Sequence, residues 1–256
     1  MQPSEVLEPP NREGHREVRL EKRELIYEGS AKRLYQTDRA DLIVQEFSDD
    51  ATTRNGKKRA KIKNKGIVSN QISSFLFEFL HGYHIPTHFV QQLSEYAMLV
   101  KRLEIIPIQV VIRNTAAGTL CTHFGMKEGL DLPHPIFEHY LKLDRPDRPL
   151  LNEYHVFAIG LATPEELKLL NRMASKVNVV LKSFFERRGI RLVDCTLEFG
   201  RHNGQILLGD EISPDTCRLW DSKTNKKLEA HRFEQDFEGL SEAYEEIRNR
   251  VLAKVA

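Results

Sequence analysis

Apolar positions along the chain fall into short runs and longer periodic stretches, and the two predict different elements. Leu25-Ile26-Tyr27, Leu34-Tyr35 and Leu42 to Phe47 are short runs bounded by turn residues, and they predict three strands. Glu28-Gly29-Ser30-Ala31-Lys32-Arg33 joins the first two. Val68, Ile72, Phe75, Leu76, Phe79 and Leu80 then recur at helical spacing, which predicts an amphipathic helix stopped by Gly82. Phe89-Val90 and Tyr96 to Leu103 predict strands. Ile105-Ile106-Pro107 breaks the pattern and is the expected hinge between two lobes, before a buried-type strand over Ile108 to Ile112 and a Gly-containing loop from Asn114 to Thr119.

The second half is read the same way. Residues 131–152 are rich in Pro and Asp and are expected to be mostly loop. Thr163, Pro164 and Glu166 form a capping box with proline at the first helical position. The long helix they open carries Leu169, Leu170, Met173, Val177, Val180, Leu181 and Phe184 on one stripe, up to Gly189. Ile190 to Phe199 and Gln205 to Glu211 are expected to pair as a hairpin around His202-Asn203-Gly204. Leu240, Tyr244, Ile247, Val251 and Val255 mark a last helix. Antiparallel strands with segregated helices define an α+β class. Residues 1–23, mixed in Glu, Arg and Pro, are expected to be a mobile arm, with order from Leu25. An N-terminal lobe is expected over 24–104 and a larger lobe over 105–256.

Composition narrows the class. With 256 residues, 40% apolar and 29% charged, the chain can bury a sizeable core. A net charge of +1 gives no pull towards nucleic acid or an anionic membrane. Arg54 to Lys65 holds seven Lys/Arg, but no aromatic residue interleaves them, so a solvated loop is expected rather than a nucleic-acid patch. Cys121, Cys195 and Cys217 are odd in number and without a CxxC, which argues against a disulfide scaffold and for a reducing compartment. No apolar run approaches the ~20 residues of a membrane span. A soluble, cytoplasmic protein with small-molecule partners is expected, and a homo-oligomer is left open.

Four constellations carry candidate chemistry. The turn from Tyr27 to Lys32 can bring backbone N–H groups and a lysine to phosphates, although hairpins with Gly and Lys are common. Asp194, Thr196 and Glu198 share one face of a strand, and Gly209-Asp210-Glu211 lies on the facing arm of the hairpin. Acids gathered there need cations, and oxygen-only ligands suit magnesium; the alternative is that Asp210-Glu211 merely ends a strand. Arg113, at a strand end beside Ala116-Ala117-Gly118-Thr119, can fork onto a carboxylate or phosphate, or simply end a strand at the surface. Ser213 to Asp221 offers an acid, a hydroxyl and an arginine around a Pro turn.

Hairpin arithmetic constrains the metal reading. A two-residue loop at Asn203-Gly204 sets 198 against 209 and puts Glu198 and Asp210 on opposite faces. A three-residue loop over 202–204 sets 198 against 210, with Cβ atoms ~5 Å apart. The metal reading therefore predicts the three-residue loop.

In order, Tyr27 to Tyr35, Asn64 to Phe77, Ile106 to Thr119, Leu192-Val193-Asp194, Leu197 to Gly200 and Gly209 to Asp221 resemble the SAICAR synthetase family, from residue 25 onward. The last block is the most specific. The resemblance implies a two-lobed α+β fold whose N-terminal lobe is similar to those of ATP-grasp enzymes and kinases. It implies an ATP- and Mg2+-dependent ligase joining L-aspartate to a carboxylated aminoimidazole ribonucleotide. It also implies roles: Gly29, Ser30, Lys32, Val100 and Lys101 at ATP; Glu198 and Asp210 on magnesium; Arg113, Thr119, Lys142 and Arg218 on the ribonucleotide; and Asp194 and Asp215 at the reaction centre.

The chain departs from the family pattern at several of these places. Ser30 and Thr196 stand where lysine is usual, Gln109 replaces Glu, Thr119 replaces Ser, and Arg148 precedes Pro149 in place of Asp. Glu229 to Glu234, with His231, replaces Asp-Lys-Asp-x-Phe-Arg. Arg54 and Arg148 are the cations available to replace the lysines. Two other functions share the ATP motifs: a paralogue coupling an amine to another heterocyclic carboxylate, and an inactive nucleotide-binding protein. Phosphate release from ATP and magnesium with a panel of amines and imidazole carboxylates separates all three. A kinase is disfavoured because no His-Arg-Asp catalytic loop is present.

Overall fold

The computed structural model describes residues 6–7, 20–29, 31–52, 59–143, 148–228 and 239–254. Ser30, Arg54, His231 and Val255 lie outside the described residues. Strands β1 (Val6–Leu7), β2 (Leu20–Glu28), β3 (Lys32–Thr37) and β4 (Leu42–Phe47) open the chain. A small ribbon of β5 (Asp50–Thr52) and β6 (Arg59–Lys61) leads to helix α1 (Lys65–His81). Then come β7 (Phe89–Gln92), β8 (Ala97–Lys101), β9 (Glu104–Thr115), α2 (Thr119–Phe124), β10 (Asp131–Leu141), β11 (Leu150–Leu151), α3 (Glu153–Ala158) and α4 (Pro164–Glu186). The long β12 (Ile190–His202), β13 (Gln205–Leu208), β14 (Cys217–Asp221) and α5 (Leu240–Leu252) complete the order.

These elements build two six-stranded sheets, β1-β2-β3-β4-β8-β7 and β11-β10-β9-β12-β13 with β14 on β12. Period-2 alternation fills both faces of the first sheet. Ile43 and Phe47, with Met98 and Val100, join the large core with α1, while Leu42 and Val44 close a smaller one with Leu93, Ala97 and Leu99. In the second sheet, Ile108, Val110 and Ile112 pair beside Cys195 and Leu197 in the core with Leu170, Val177 and Leu181 of α4. The opposite face carries Gln109, Val111 and Arg113 against Glu198, Thr196 and Asp194. It is a polar floor on an apolar foundation.

The helices follow the sequence pattern closely. Thr163 caps α4 by accepting from Glu166 N at 3.2 Å, and Glu166 Oε2 returns the bond to Thr163 N at 2.8 Å. Phe77 of α1 is fully buried where Phe75 and Phe79 are only partly so.

The strands differ from expectation in four places. The first long strand starts at Leu20 rather than Leu25, and Leu20 and Glu21 pair with Leu7 and Val6 inside the stretch expected to be a mobile arm. Pro107 lies inside β9, the first strand of the second sheet, rather than in a break between elements. Glu198 stands opposite Gln109 while Phe199 stands opposite Ile106, so Pro107 and Ile108 form a bulge that needs no ladder N–H from the proline. The stretch expected to be loop contains β10, whose register slips between Asp131 and Ile136 to absorb Pro133 and Pro135. Finally, His202 pairs with Gln205, so the hairpin turns on two residues, with Asn203 at φ 49° and Gly204 at φ 76°. The three-residue loop does not form.

The sheets are joined through β13. His88 N donates to Leu208 O at 2.8 Å and Leu208 N to Pro86 O at 3.0 Å, beside a parallel bridge of Thr87 with Leu208. On α1, Ser73 Oγ donates to Ile212 O and accepts from Ile212 N, both at 3.1 Å and fully buried. Replacing Ser73 by Ala strands both backbone groups, so we expect a loss of about 1–3 kcal/mol. A urea titration should show a lower midpoint with an unchanged slope; an unaltered midpoint would mean the segment is held by other contacts.

Candidate active site

Two clusters of buried charge stand on the polar floor of the second sheet. The first forms where β13 ends. Asp210 adopts φ 61°, outside the strand ladder, and this left-handed step cancels the alternation that a two-residue turn imposes. Glu198 and Asp210 therefore interact electrostatically despite the even turn. Lys32 of β3 reaches across from the first sheet to pair with Asp210, and with Glu211 at 3.3 Å. Lys142, just past β10, pairs with Glu198 Oε2, and Gln109 Nε2 donates to Glu198 Oε1 at 2.7 Å. Gln45 Nε2 donates to Asp210 O at 3.2 Å, and Ser213 Oγ to Glu211 Oε2 at 2.7 Å.

Three carboxylates, Glu198 and Glu211 buried and Asp210 partly so, share two lysines here, and their proton affinities reflect it. Burial, then the charge of Asp210, push Glu198 up against the pull of Lys142 and Gln109. Burial likewise raises Glu211, with Asp215 and Asp210 adding to it. For Asp210 burial is the largest influence, but Lys32 and Lys142 together outweigh it and hold the carboxyl below its usual range. Lys32 is the converse: burial disfavours its charge, yet Asp210 and Glu211 hold it well above the usual lysine value. Among the described residues no group of three His, Cys, Asp or Glu side chains has a metal-binding arrangement; the carboxylate oxygens lie on the lysines.

The second cluster lies further along the same floor. Asp194 Oδ2 accepts from Arg218 Nη1 at 2.7 Å and Arg113 Nη1 at 3.3 Å. Arg113 also donates to Glu138 Oε2 at 2.7 Å and to Thr119 Oγ1 at 2.8 Å, and Tyr140 OH donates to Glu138 Oε2 at 2.9 Å. Gly118, at φ 55°, is what lets the loop close over Arg218, since a Cβ there would stand 3.1 Å from Nη1. Two side-by-side guanidiniums beside a loop of small residues suit a doubly charged anion.

Asp215 forms a third point. It accepts from the buried Lys65 Nζ at 2.6 Å and from Tyr244 OH at 2.7 Å. Gly29 N bonds to Lys32 O at 2.8 Å and so shapes the turn before Lys32. Val100 is fully buried opposite Ile43, and Lys101 N bonds to His88 O at 2.7 Å.

Glu198, Asp210, Lys32 and Lys142 thus meet in one cluster, and Arg113, Thr119, Asp194 and Arg218 in another. Lys65, Glu138 and Tyr140 were not singled out by sequence. In sequence Lys65 belongs to a basic run that reads as solvated, and the other two sit on β10, in a stretch whose Pro and Asp content reads as loop. His88 was also missed. It is 3% exposed, its ring nitrogens find no partner among the described residues, and burial, with Lys32 nearby, depresses its pKa to about 3.

This histidine has a stability signature. Unfolded, it takes a proton near pH ~6.5; folded, it stays neutral down to about pH 3. Between those limits the unfolded chain binds more protons, so stability rises with pH by up to ~1.4 kcal/mol per unit. His88→Phe should flatten the pH dependence of urea-derived stability between pH 4 and 6.5; an equally steep profile would rule this residue out as its source.

Comparison with known proteins places the chain in a family. The SAICAR synthetase family model matches residues 25–251. The phosphoribosylaminoimidazole-succinocarboxamide synthase of Chlorobium phaeobacteroides (strain BS1) is 54% identical over 91% of this chain and 99% of its own length. That of Chloroherpeton thalassium is 53% identical over 91% and 99%. The crystal structure of the Ehrlichia chaffeensis synthase superposes with a TM-score of 0.86 at 42% identity, over 90% of this chain and 99% of that one. A SAICAR synthetase in complex with ADP superposes with a TM-score of 0.86 at 41% identity, over 91% and 99%. With residues 25–251 matched by the family model, over half of the aligned positions shared with relatives matched along 99% of their length and its fold superposing on theirs, this chain belongs to the SAICAR synthetase family.

Proposed function

We propose that the chain is an ATP-dependent ligase that joins L-aspartate to carboxyaminoimidazole ribonucleotide through an acyl phosphate, giving SAICAR, ADP and phosphate. The observation that carries the reading is the pairing of an acid–lysine cluster with a twin-arginine cluster on one floor, in a chain of this family. A carboxylate is a poor electrophile. One of its oxygens first attacks the γ-phosphorus of ATP and ADP leaves. The aspartate amine then attacks the acyl carbon, loses a proton, and expels phosphate. Both steps gather negative charge, and positioned cations lower their barriers.

The residues divide the work. Lys32, in the turn that Gly29 shapes, binds ATP phosphates once released from Asp210, and the Val100–Lys101 strand end lies against the base; the ADP complex of a relative supports this half. Arg113, Thr119, Lys142 and Arg218 grip the anionic acceptor. Asp194 holds both guanidiniums in register, and Asp215, anchored by Lys65 and Tyr244, borders the reaction centre. Glu198 and Asp210 are the residues that would hold Mg2+. Their hard oxygens and a local excess of buried negative charge fit that ion, which would neutralise phosphate charge. No described helix is long and apolar enough to cross a membrane, and the three cysteines are free. We assign the activity to the cytoplasm.

The assay is ADP and phosphate release from purified protein with ATP, Mg2+, L-aspartate and the ribonucleotide. The reading fails if phosphate release does not depend on aspartate. Arg218→Ala should raise the ribonucleotide KM about 10- to 150-fold, the equivalent of ~1.5–3 kcal/mol for a charge-assisted bond, with the ATP KM nearly constant. Equal effects on both would put Arg218 in the wrong subsite. Asp210→Asn should cut Mg2+-dependent kcat by about 100-fold or more, with circular dichroism still showing a folded protein; turnover near that of the parent would remove Asp210 from the metal site.

A further inference from the structure

Beside the acid–lysine cluster lies a contact that the ligase reading does not use. Arg148 Nη1 donates to Gln109 Oε1, and Gln109 passes its Nε2 to Glu198 Oε1 at 2.7 Å. Chemistry fixes the orientation of that amide: a guanidinium only donates and an ionised carboxylate only accepts. Gln109 therefore seats Arg148 without cancelling its charge. Glutamate at the same position would neutralise the guanidinium and press a further negative charge against Glu198. The base of the arginine is held as well, because Leu141 N donates to Pro149 O at 3.0 Å and ties the segment to the end of β10. Arg148 itself is exposed, so it leans in from the rim over the floor.

The floor has a matching gap in charge. Thr196 shares the face of Gln109, one step diagonal in the ladder, since Gln109 faces Glu198 and Val111 faces Thr196. Such diagonal neighbours stand roughly 7 Å apart, within the reach of a long cation. The Thr196 side chain is short and neutral, so no cation rises from the floor at that point. Gln109, Arg148 and Thr196 thus lie around Glu198.

We propose that Arg148, seated on Gln109, is a specificity-determining residue that supplies positive charge to a substrate carboxylate above Thr196. The inference rests on the ligase reading. The carboxylate belongs either to the ribonucleotide acceptor or to aspartate, and separate KM measurements distinguish the two.

The experiment compares the parent with Arg148→Gln, Arg148→Lys, Thr196→Lys and the Arg148→Gln/Thr196→Lys double variant, by ADP release at varied ribonucleotide, aspartate and ATP. Arg148→Gln is expected to lower kcat/KM for one carboxylate substrate 10- to 100-fold, with the ATP KM within twofold and the melting temperature held, as suits an exposed side chain. Arg148→Lys should recover part of the loss. The double variant should return to within a fewfold of the parent, while Thr196→Lys alone adds little. Arg148→Gln within threefold of the parent on every substrate overturns the proposal, as does a double variant no better than Arg148→Gln. A parent without aspartate-dependent ADP release would instead overturn the ligase reading, and this inference with it.

Discussion

The rest of the structure hangs on the pairing of Lys32 with Asp210 and Glu211. A lysine on the first sheet and two acids between β13 and β14 of the second are drawn largely out of water together. Glu211 is buried, Lys32 and Asp210 are mostly covered, and each would be costly to desolvate alone. Removing one partner of such a set is expected to cost about 3–5 kcal/mol, because the other charge stays uncompensated. That penalty fixes the relation of the sheets, with the Leu208 backbone bonds, the Gln45 amide on Asp210 and the Ser73 hydroxyl on Ile212 as its support. These contacts cluster within a few residues of the left-handed Asp210.

The same crowding explains how an ion-pair network can also be a site. Glu198, Asp210 and Glu211 outnumber the lysines that serve them, so the cluster accepts further positive charge readily. The arginine cluster is built differently, with Asp194 and Glu138 acting as fixed counterions that hold two guanidiniums in place. Such a floor stabilises charge and needs no protein nucleophile. The buried thiols fit that picture: burial raises Cys195 well above its normal value and pushes Cys217 up to about 12, so neither is a thiolate at neutral pH.

Departures from the family pattern are local in sequence but collective in space. Gln109, Arg148 and Thr196 lie on three different segments, yet one amide links the first two and the sheet register brings in the third. A loss of charge at one position and a gain at another read as unrelated substitutions until the register is known.

Much of this was legible in the chain itself. The capping box at Thr163 and the stripes of α1 and α4 are decided by neighbours within a few residues, and each took the form its local chemistry dictates. Lys32, Lys142, Glu198 and Asp210 of one cluster and Arg113, Thr119, Asp194 and Arg218 of the other are candidates through family resemblance, whereas Glu138 and Tyr140 are not. What sequence could not decide was whatever depends on a distant partner. Proline in β9 and β10 reads locally as a break, but a bulge against a neighbouring strand absorbs it. Lys65 reads as solvated until Asp215 and Tyr244 arrive from the other end of the chain. The turn at Asn203-Gly204 forbids Glu198 and Asp210 a common face as long as the strand alternates. Only the tertiary structure, by drawing Asp210 towards Lys32, holds that residue at a positive φ and brings the carboxylates together. Alternation is a rule of the local backbone; the exception is maintained by a charge more than a hundred residues away.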